Sequence, residues 1–437
     1  MRWSRFNLMF KSKDKGLLLY NSGSNSFAQV GDSSIALINQ IIQNPNMDFS
    51  NIPDVFFKLR FGGFIVDDRE DDDLVRILKM RRLTSNYAGD QLLLTVALTK
   101  ECNFACEYCF EQNRTSPSIS DETADRIVQF IDNHKLINEV KVTWYGGEPL
   151  LEFEKLRHLS KKIQKLGIKY DAQLITNGYL LSAKVIAALN ELEISSLQIT
   201  IDGTRETHNK RRYLTNGNGT YDRVIGNIKK LMASDWKGIL YLRVNVDKRN
   251  DDEFAKVYRQ VERKYSDKFN SHVYVYPGFV NNYNGDNCSY CFNSNDEGQF
   301  LVELFRKHGI NTLSTFPRLT MGGCTMTKRN AYVVGPEGEL YKCWHNLGDN
   351  NEIVGSISSL SNWNTSLIAE GMVGASYLED ESCKTCMLVP ICDGGCPKLR
   401  MLNNRDKVDI TTCSYFKKHI KQLLEIHYEQ YVMTRKD

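Results

Sequence analysis

The chain has 437 residues, with 56 Lys and Arg against 53 Asp and Glu and a formal net charge of +3. That balance lacks the electrostatic footprint of a nucleic-acid binder. No stretch approaches the run of apolar residues needed for a transmembrane helix, and "MRWSRFNLMFKSKDK" lacks the apolar segment of a signal peptide. The expectation is a cytoplasmic protein of two or three domains, with neither nucleic acid nor membrane as partner. Thiols stay reduced in that compartment. Twelve cysteines therefore call for metal or redox chemistry before disulfides.

Residues 1–90 read as a small module. "RFNLMF" and "GLLLYN" are strand-like runs joined by a charged turn, and "SFAQV" follows. Asp32 is placed to cap a helix through "SSIALINQIIQ", whose apolar residues recur at helical spacing. Ser50 is placed to start a second helix through "NIPDVFFKLR". "GGFIVDD" predicts a short strand, and "DDDLVRILKMRRL" a helix with acids at its start and bases at its end. Three short strands with three helices suit a winged helix-turn-helix; the plainer reading is a capping domain.

From 91 to about 310, six strand-like runs alternate with helical stretches: "QLLLTVALT", "EVKVTWYG", "AQLITNG", "SLQITIDG", "YLRVNVD" and "HVYVYPG". Repeated βα units imply an α/β fold with a parallel sheet, either an open barrel or a doubly wound sheet. Cys102, Glu148, Asn177, Asp202 and Asp247 lie just past strand ends. Active sites of parallel βα folds gather at that face. From 311 to 437 the periodicity fades and cysteines dominate.

"CNFACEYCF" places Cys102, Cys106 and Cys109 at C-x3-C-x2-C spacing. Thiolates suit zinc, copper(I) and iron–sulfur clusters. A structural site wants four ligands, and three leave a position open for chemistry, as catalytic metal sites do. The plainer alternative is a zinc site completed by a distant residue. The stretch resembles the signature of the radical S-adenosylmethionine superfamily. The resemblance implies a partial (β/α)6 TIM-type barrel and a 4Fe–4S cluster on the three cysteines. Its unique iron would chelate S-adenosylmethionine, which electron transfer cleaves to methionine and a 5′-deoxyadenosyl radical. Tyr108, the aromatic residue before the third cysteine, would contact the adenine.

"YGGEP" at 145–149 matches the family's GGE segment, so Gly146, Gly147 and Glu148 would meet the cofactor ammonium. Two glycines permit close backbone approach and a carboxylate pairs with a cation. "LITNG", with Asn177, and "QITIDGTRETHNKRR", with Thr200, Asp202 and Arg212, match in order. Arg212 would bind the cofactor carboxylate as a fork. Taken alone, Asp202-Gly203 is a tight turn and His208 a helix-surface residue.

The C-terminal array is Cys324, thirteen residues, Gly338, four residues and Cys343, then Cys383-x2-Cys386-x5-Cys392-x3-Cys396 and, after sixteen intervening residues, Cys413. This resembles the SPASM extension and implies two auxiliary 4Fe–4S clusters, three in all. Cys383, Cys386, Cys392 and Cys413 would ligate one; Cys324, Cys343 and Cys396 would serve the other. Its fourth ligand is open: Cys288 or Cys291, or none, the pair otherwise being a reduced thiol pair.

SPASM members mostly modify peptides or proteins. Sulfatase-maturating members carry an aspartate base after the cysteine of G-x4-C and begin almost at the triad. Here Trp344 and His345 follow Cys343, and about ninety residues precede the triad. Peptide maturases often carry an N-terminal winged helix-turn-helix that recognises a leader, which residues 1–90 match. The expectation is a maturase that installs a side-chain cross-link in a precursor peptide, with His345 as proton acceptor and flavodoxin or ferredoxin as electron donor. The alternatives are sulfatase-type and quinone-cofactor-type maturation. A different class is a non-catalytic metal-binding scaffold.

Overall fold

The computed structural model describes residues 1–111, 118–281, 288–312, 315–319, 324–359, 361–406, 408 and 410–433. Two compact units emerge: residues 1–86, 293–323 and 375–437 form one, and 87–292 with 324–374 the other.

In the first unit, β2 (Asn7–Ser12), β3 (Gly16–Asn21) and β4 (Ser26–Val30) form an antiparallel sheet. A short β1 (Arg2–Trp3) pairs antiparallel with β5 (Ile65–Val66). Helices α1 (Asp32–Gln43), α2 (Pro53–Phe61) and α3 (Glu70–Tyr87) complete the N-terminal stretch. The helix starts differ from expectation. Gly31 is the residue before α1, so Asp32 is its first helical residue and acts on the helix dipole, not as the cap. The second helix begins at Pro53, not Ser50, because proline's fixed φ suits the first helical position. Asp71, buried in α3, accepts from Ser4 Oγ at 2.8 Å and from Arg5 N at 2.9 Å, which fastens that helix to the chain start.

The reason the first unit takes in C-terminal residues lies in "LLLY". Side chains alternate across a strand, yet Leu18, Leu19 and Tyr20 are all buried. Leu19 packs with Ile38, Ile41, Leu59 and Phe64, from the helices and the turn before β5. Leu18 and Tyr20, on the opposite face, pack with Leu388, Ile391, Ile420 and Leu424. A strand apolar on both faces needs cover on both sides, and the C-terminal segment supplies the second.

In the second unit, six parallel strands stand side by side in chain order: β6 (Gln91–Ala97), β7 (Glu139–Tyr145), β8 (Lys169–Thr176), β9 (Ile194–Thr200), β10 (Ile239–Val246) and β11 (Val273–Phe279). Helices α4 (Asp121–Asn133), α5 (Phe153–Gln164), α6 (Ala183–Ala188), α7 (Arg205–Arg211), α8 (Tyr221–Met232) and α9 (Glu253–Lys264) lie between them. Unbroken sequential order is that of a barrel-type sheet. A doubly wound sheet would reverse its order at a switch point, so that alternative falls. β12 (Ala331–Val334) adds in parallel to β6, and β13 (Glu339–Tyr341) and β14 (Gly355–Ser356) follow antiparallel. Along β10, Leu240, Leu242 and Val244 are buried, and Leu242 lies with α8 and α9 side chains. The alternate residues Tyr241, Arg243 and Asn245 therefore belong to the inner face. No helix among the described residues is long and apolar enough to cross a membrane.

Leu18→Ala should lower stability by about 2–5 kcal/mol, because it opens a cavity between sheet and C-terminal segment. Denaturant unfolding of the full chain would show it as a lowered midpoint; an unchanged midpoint would contradict the two-faced packing.

Candidate active site

The segment holding Cys102, Cys106 and Cys109 follows β6. Backbone bonds pin it to the stretch after α7: Ala105 N donates to Tyr213 O at 2.8 Å and Thr215 N to Asn103 O at 3.1 Å. Phe104 is buried beneath the Arg212 guanidinium, 5.5 Å from its ring centroid. The three cysteines are half-buried and not disulfide-bonded. Among the described residues no three His, Cys, Asp or Glu side chains close on a single metal ion. Thiolates around a four-iron cube stand farther apart than around one ion, so the donor set is the better guide: three soft ligands in one segment.

Gly146 and Gly147 follow β7. Gly146 has φ +119°, and a Cβ on Gly147 would come 2.1 Å from Glu101 O. Gly147 N donates to Thr99 O at 3.0 Å and Glu148 N to Glu101 O at 2.9 Å, so two glycines seat β7's end against the cysteine segment. Glu148 is fully buried. Its carboxylate accepts from Thr176 Oγ1 at 2.7 Å, Asn177 N at 2.8 Å and Leu150 N at 3.0 Å. Burial still pushes its carboxyl above the usual range, against the pull of those donors and of Arg212. Asn177 Nδ2 reaches Asn103 Oδ1 at 2.7 Å and Cys102 Sγ at 3.9 Å.

Tyr108 is the hub. Its hydroxyl bonds to Asp202, and receives Arg212 Nη1 at 2.6 Å and Asn245 Nδ2 at 3.0 Å. Burial first holds the phenol well above its usual range; Arg212 opposes this, while Asp202 and Cys106 add to it. Burial works against the Arg212 charge, but Cys106, Tyr108 and Asp202 outweigh it. Arg211 bridges Asp202 at 3.3 Å and Asp247 at 2.9 Å, its guanidinium 5.0 Å from the Tyr108 ring centroid. Arg249 joins Asp247 at 2.8 Å and Glu107 at 3.0 Å. Asp202 Oδ1, Arg211 Nη2 and Arg212 Nε are buried without a hydrogen-bond partner. Such orphaned polar atoms are costly and mark where a polar ligand would fit.

Sequence reasoning singled out Tyr108, Glu148, Asn177, Asp202 and Arg212, and these come together. Thr200 ends β9, level with Arg243 of β10. His208 is corrected: it is fully buried, its Nδ1 accepting from Asp202 N at 3.3 Å and its Nε2 lying 3.0 Å from Thr220 Oγ1. Arg211 and Asn245 were missed. The signal for Asn245 was its place near the end of an alternating strand. His345 lies against the Phe110 ring at 4.1 Å, and Trp344 stacks on Tyr145 at 6.0 Å.

In the other unit, Arg400 Nη2 donates to Cys383 Sγ at 3.3 Å, Lys417 Nζ to Cys386 Sγ at 3.5 Å and Gly394 N to Cys392 Sγ at 3.3 Å. Cys386 foremost raises Lys417 above its ordinary range, with Cys413 and Cys383 adding to it. Burial raises Cys392, with Cys383 and Cys386 as charged neighbours. Four thiols thus share one electrostatic neighbourhood. Cys288 and Cys291 are joined to each other by a disulfide, so in this structure neither offers a thiolate, as ligand or as reduced pair.

Six parallel strands with a cysteine triad at their C-terminal side define the class: a family model described as the Radical SAM superfamily matches residues 96–261, and the chain carries a radical SAM domain. S-adenosylmethionine and one 4Fe–4S cluster are that domain's cofactors. A serine-type anaerobic sulfatase-maturating enzyme of Bacteroides thetaiotaomicron is 25% identical over 346 residues, 70% of this chain and 82% of the relative. Native anSMEcpe with bound AdoMet and Cp18Cys peptide is similar in fold, with TM-score 0.60 and 21% identity over 79% of this chain and 99% of that one. So is Streptococcus suis SuiB bound to precursor peptide SuiA, with TM-score 0.55 and 14% identity over 95% and 98%.

Two outcomes follow from the local geometry. Gly147→Ala should push the 99–102 backbone aside at a cost of about 1–3 kcal/mol, read as lowered iron content and unfolding midpoint. His208 is lowered by burial, and secondarily by Arg212, to about 3. The unfolded chain takes up this proton near pH 6.5 and the folded protein refuses it. The stability contribution is therefore whole above about pH 6.5 and falls as pH drops towards about 3, by up to roughly 1.4 kcal/mol per pH unit. Denaturation midpoints between these limits should depend less on pH in His208→Gln; equal slopes would contradict a neutral His208.

Proposed function

We propose that the chain is a radical S-adenosylmethionine peptide maturase that abstracts a hydrogen from a ribosomally made precursor peptide and installs a side-chain cross-link. The observation that carries this reading is fold coverage. The protein seen with a precursor peptide matches 95% of this chain, against 79% for the sulfatase-maturating structure. The N-terminal strands and helices serve as the leader-recognition module, a winged helix-turn-helix type. Among the described residues β4 pairs on one side only, and an edge strand accepts an extended peptide as a further strand.

Cys102, Cys106 and Cys109 hold the cluster. Gly146, Gly147 and Glu148 receive the cofactor ammonium, since Glu148 is a buried carboxyl that a cation would stabilise. Arg212 receives the carboxylate, and its partnerless Nε supports this. Tyr108, Asn177, Thr200 and Asp202 line the nucleoside side. When bound, cluster and cofactor supply a 5′-deoxyadenosyl radical. The protein's part is placement: Tyr108 is held by hydrogen bonds from three directions, and Phe110 and Trp344 offer partly exposed aromatic surface for substrate side chains. His345, beside Phe110, accepts the released proton.

The SPASM-like array holds two auxiliary clusters. Lys417 and the backbone donors around Cys383, Cys386, Cys392 and Cys413 support the first. Cys324 and Cys343 belong to the second unit and Cys396 to the first, so their grouping rests on the resemblance alone. A one-electron donor of flavodoxin or ferredoxin type reduces the centres. Sulfatase-type maturation is the second reading, favoured by the match to the Bacteroides relative and disfavoured by Trp344 after Cys343.

Anaerobically reconstituted protein given dithionite and cofactor should release 5′-deoxyadenosine. Replacing Cys102, Cys106 and Cys109 together by Ala should abolish release and remove roughly four irons per chain. Wild-type release from that variant would sink the assignment. A precursor encoded beside the gene should lose a pair of hydrogens per cross-link. Conversion of a sulfatase peptide to formylglycine would instead establish the second reading.

A further inference from the structure

The inner face of the barrel holds a cation that the cofactor site does not use. Arg243 sits on β10 two residues before Asn245, level with Thr200 of β9 and Tyr276 of β11. Its Nε donates to Asn245 Oδ1 at 2.7 Å, and the Asn245 amide in turn reaches Tyr108. No acidic side chain among the described residues lies within ion-pair distance of Arg243, and its two terminal nitrogens have no hydrogen-bond partner there. Arg211 and Arg249, also at this end, are each matched to acids, and Arg212 is engaged with Tyr108.

Room for this guanidinium is built into the neighbouring strand. Gly278 is level with Asn245, and a Cβ there would come 2.0 Å from Arg243 Nε and 2.8 Å from Nη2. The side chain therefore leans along β10 towards the C-terminal ends of the strands, over a position where any other residue would collide with it. Aromatic hydroxyls surround it. Arg243 opposes the burial that raises the Tyr145 and Tyr276 phenols, and Tyr276 donates to Gln198 Oε1 at 2.5 Å. A half-buried guanidinium held in place without an acidic partner leaves its terminal nitrogens available to a ligand. Its planar fork matches a carboxylate.

We infer that Arg243 is a specificity-determining residue: it binds a carboxylate of the substrate beside the cofactor site, with Gly278 leaving the guanidinium its space. The carboxylate belongs either to an Asp or Glu side chain or to a chain terminus. This rests on the peptide-modifying reading and names what its substrate carries near the reacting position.

The test is calorimetric titration of the cluster-loaded protein with S-adenosylmethionine present. Three probes separate the sources: N-acetylglutamate N-methylamide carries only a side-chain carboxylate, N-acetylglutamine only a terminal one, and N-acetylglutamine N-methylamide neither. Wild-type protein should bind one or both acids at least about tenfold more tightly than the neutral probe. Arg243→Gln should erase the difference, Arg243→Lys should retain part of it, and Gly278→Ala should weaken acid binding by displacing the guanidinium. The two positions reach the same group from different strands, so a folding defect in one leaves the other informative. Equal binding of all probes, no binding of any, or an undiminished preference in Arg243→Gln overturns the inference. Failure of the radical reading would appear elsewhere, as absence of 5′-deoxyadenosine from wild-type protein.

Discussion

Asp202 is the charge on which the barrel end depends. It sits fully buried between Tyr108, which belongs to the cysteine segment, and Arg211, which belongs to α7 and reaches on to Asp247. One carboxylate thus ties the segment after β6 to the ends of β9 and β10. Such a chain of alternating charges is tolerable inside a protein only when every member is matched. Removing one partner from a buried pair typically costs about 3–5 kcal/mol, because the survivor stays buried. Arg212, Asn245 and His208 all attach to this arrangement, so its alignment sets theirs.

The first unit depends on a different constraint, burial of β3 on both faces. The cysteines at 383–413 sit in the same segment that covers Leu18 and Tyr20. Thr412 O also lies within 2.0 Å of where a Cβ on Gly395 would stand, so the turn between Cys392 and Cys396 is pressed against the stretch before Cys413. Apolar packing on one side and close backbone contact on the other hold this cysteine-bearing segment in place.

Much of the fold was legible because its signals are local. Six apolar runs at regular spacing with helices between them announce parallel βα units, and the strands appear where those runs stand. The cysteine triad, GGE and the Asp202–Arg212 stretch were legible because each is contiguous. What escaped was long-range. Nothing near "LLLY" says that its second face is covered by residues almost four hundred positions later. Arg211 and Arg212 are adjacent and alike in sequence; only the fold sends one to two aspartates and the other to Tyr108. His208 has polar neighbours on its helix, yet Thr220 and the Asp202 backbone give its ring nitrogens partners, which makes a buried neutral imidazole acceptable. Cys288 and Cys291 carry the spacing of a metal knuckle, and only their placement distinguishes a disulfide from a ligand pair.

The double-sided strand has a consequence for how this architecture changes over time. A module covered on one face could be exchanged between proteins as a cassette, in one recombination event. Here residues 1–86 share a core with Leu388, Ile391, Ile420 and Leu424. A transplanted module would meet a foreign surface beside the C-terminal thiols. Divergence of the N-terminal stretch must therefore proceed mainly by substitution on its outward surfaces, in step with the segment that carries the cysteines, and a designer seeking a chimera would have to move both pieces together.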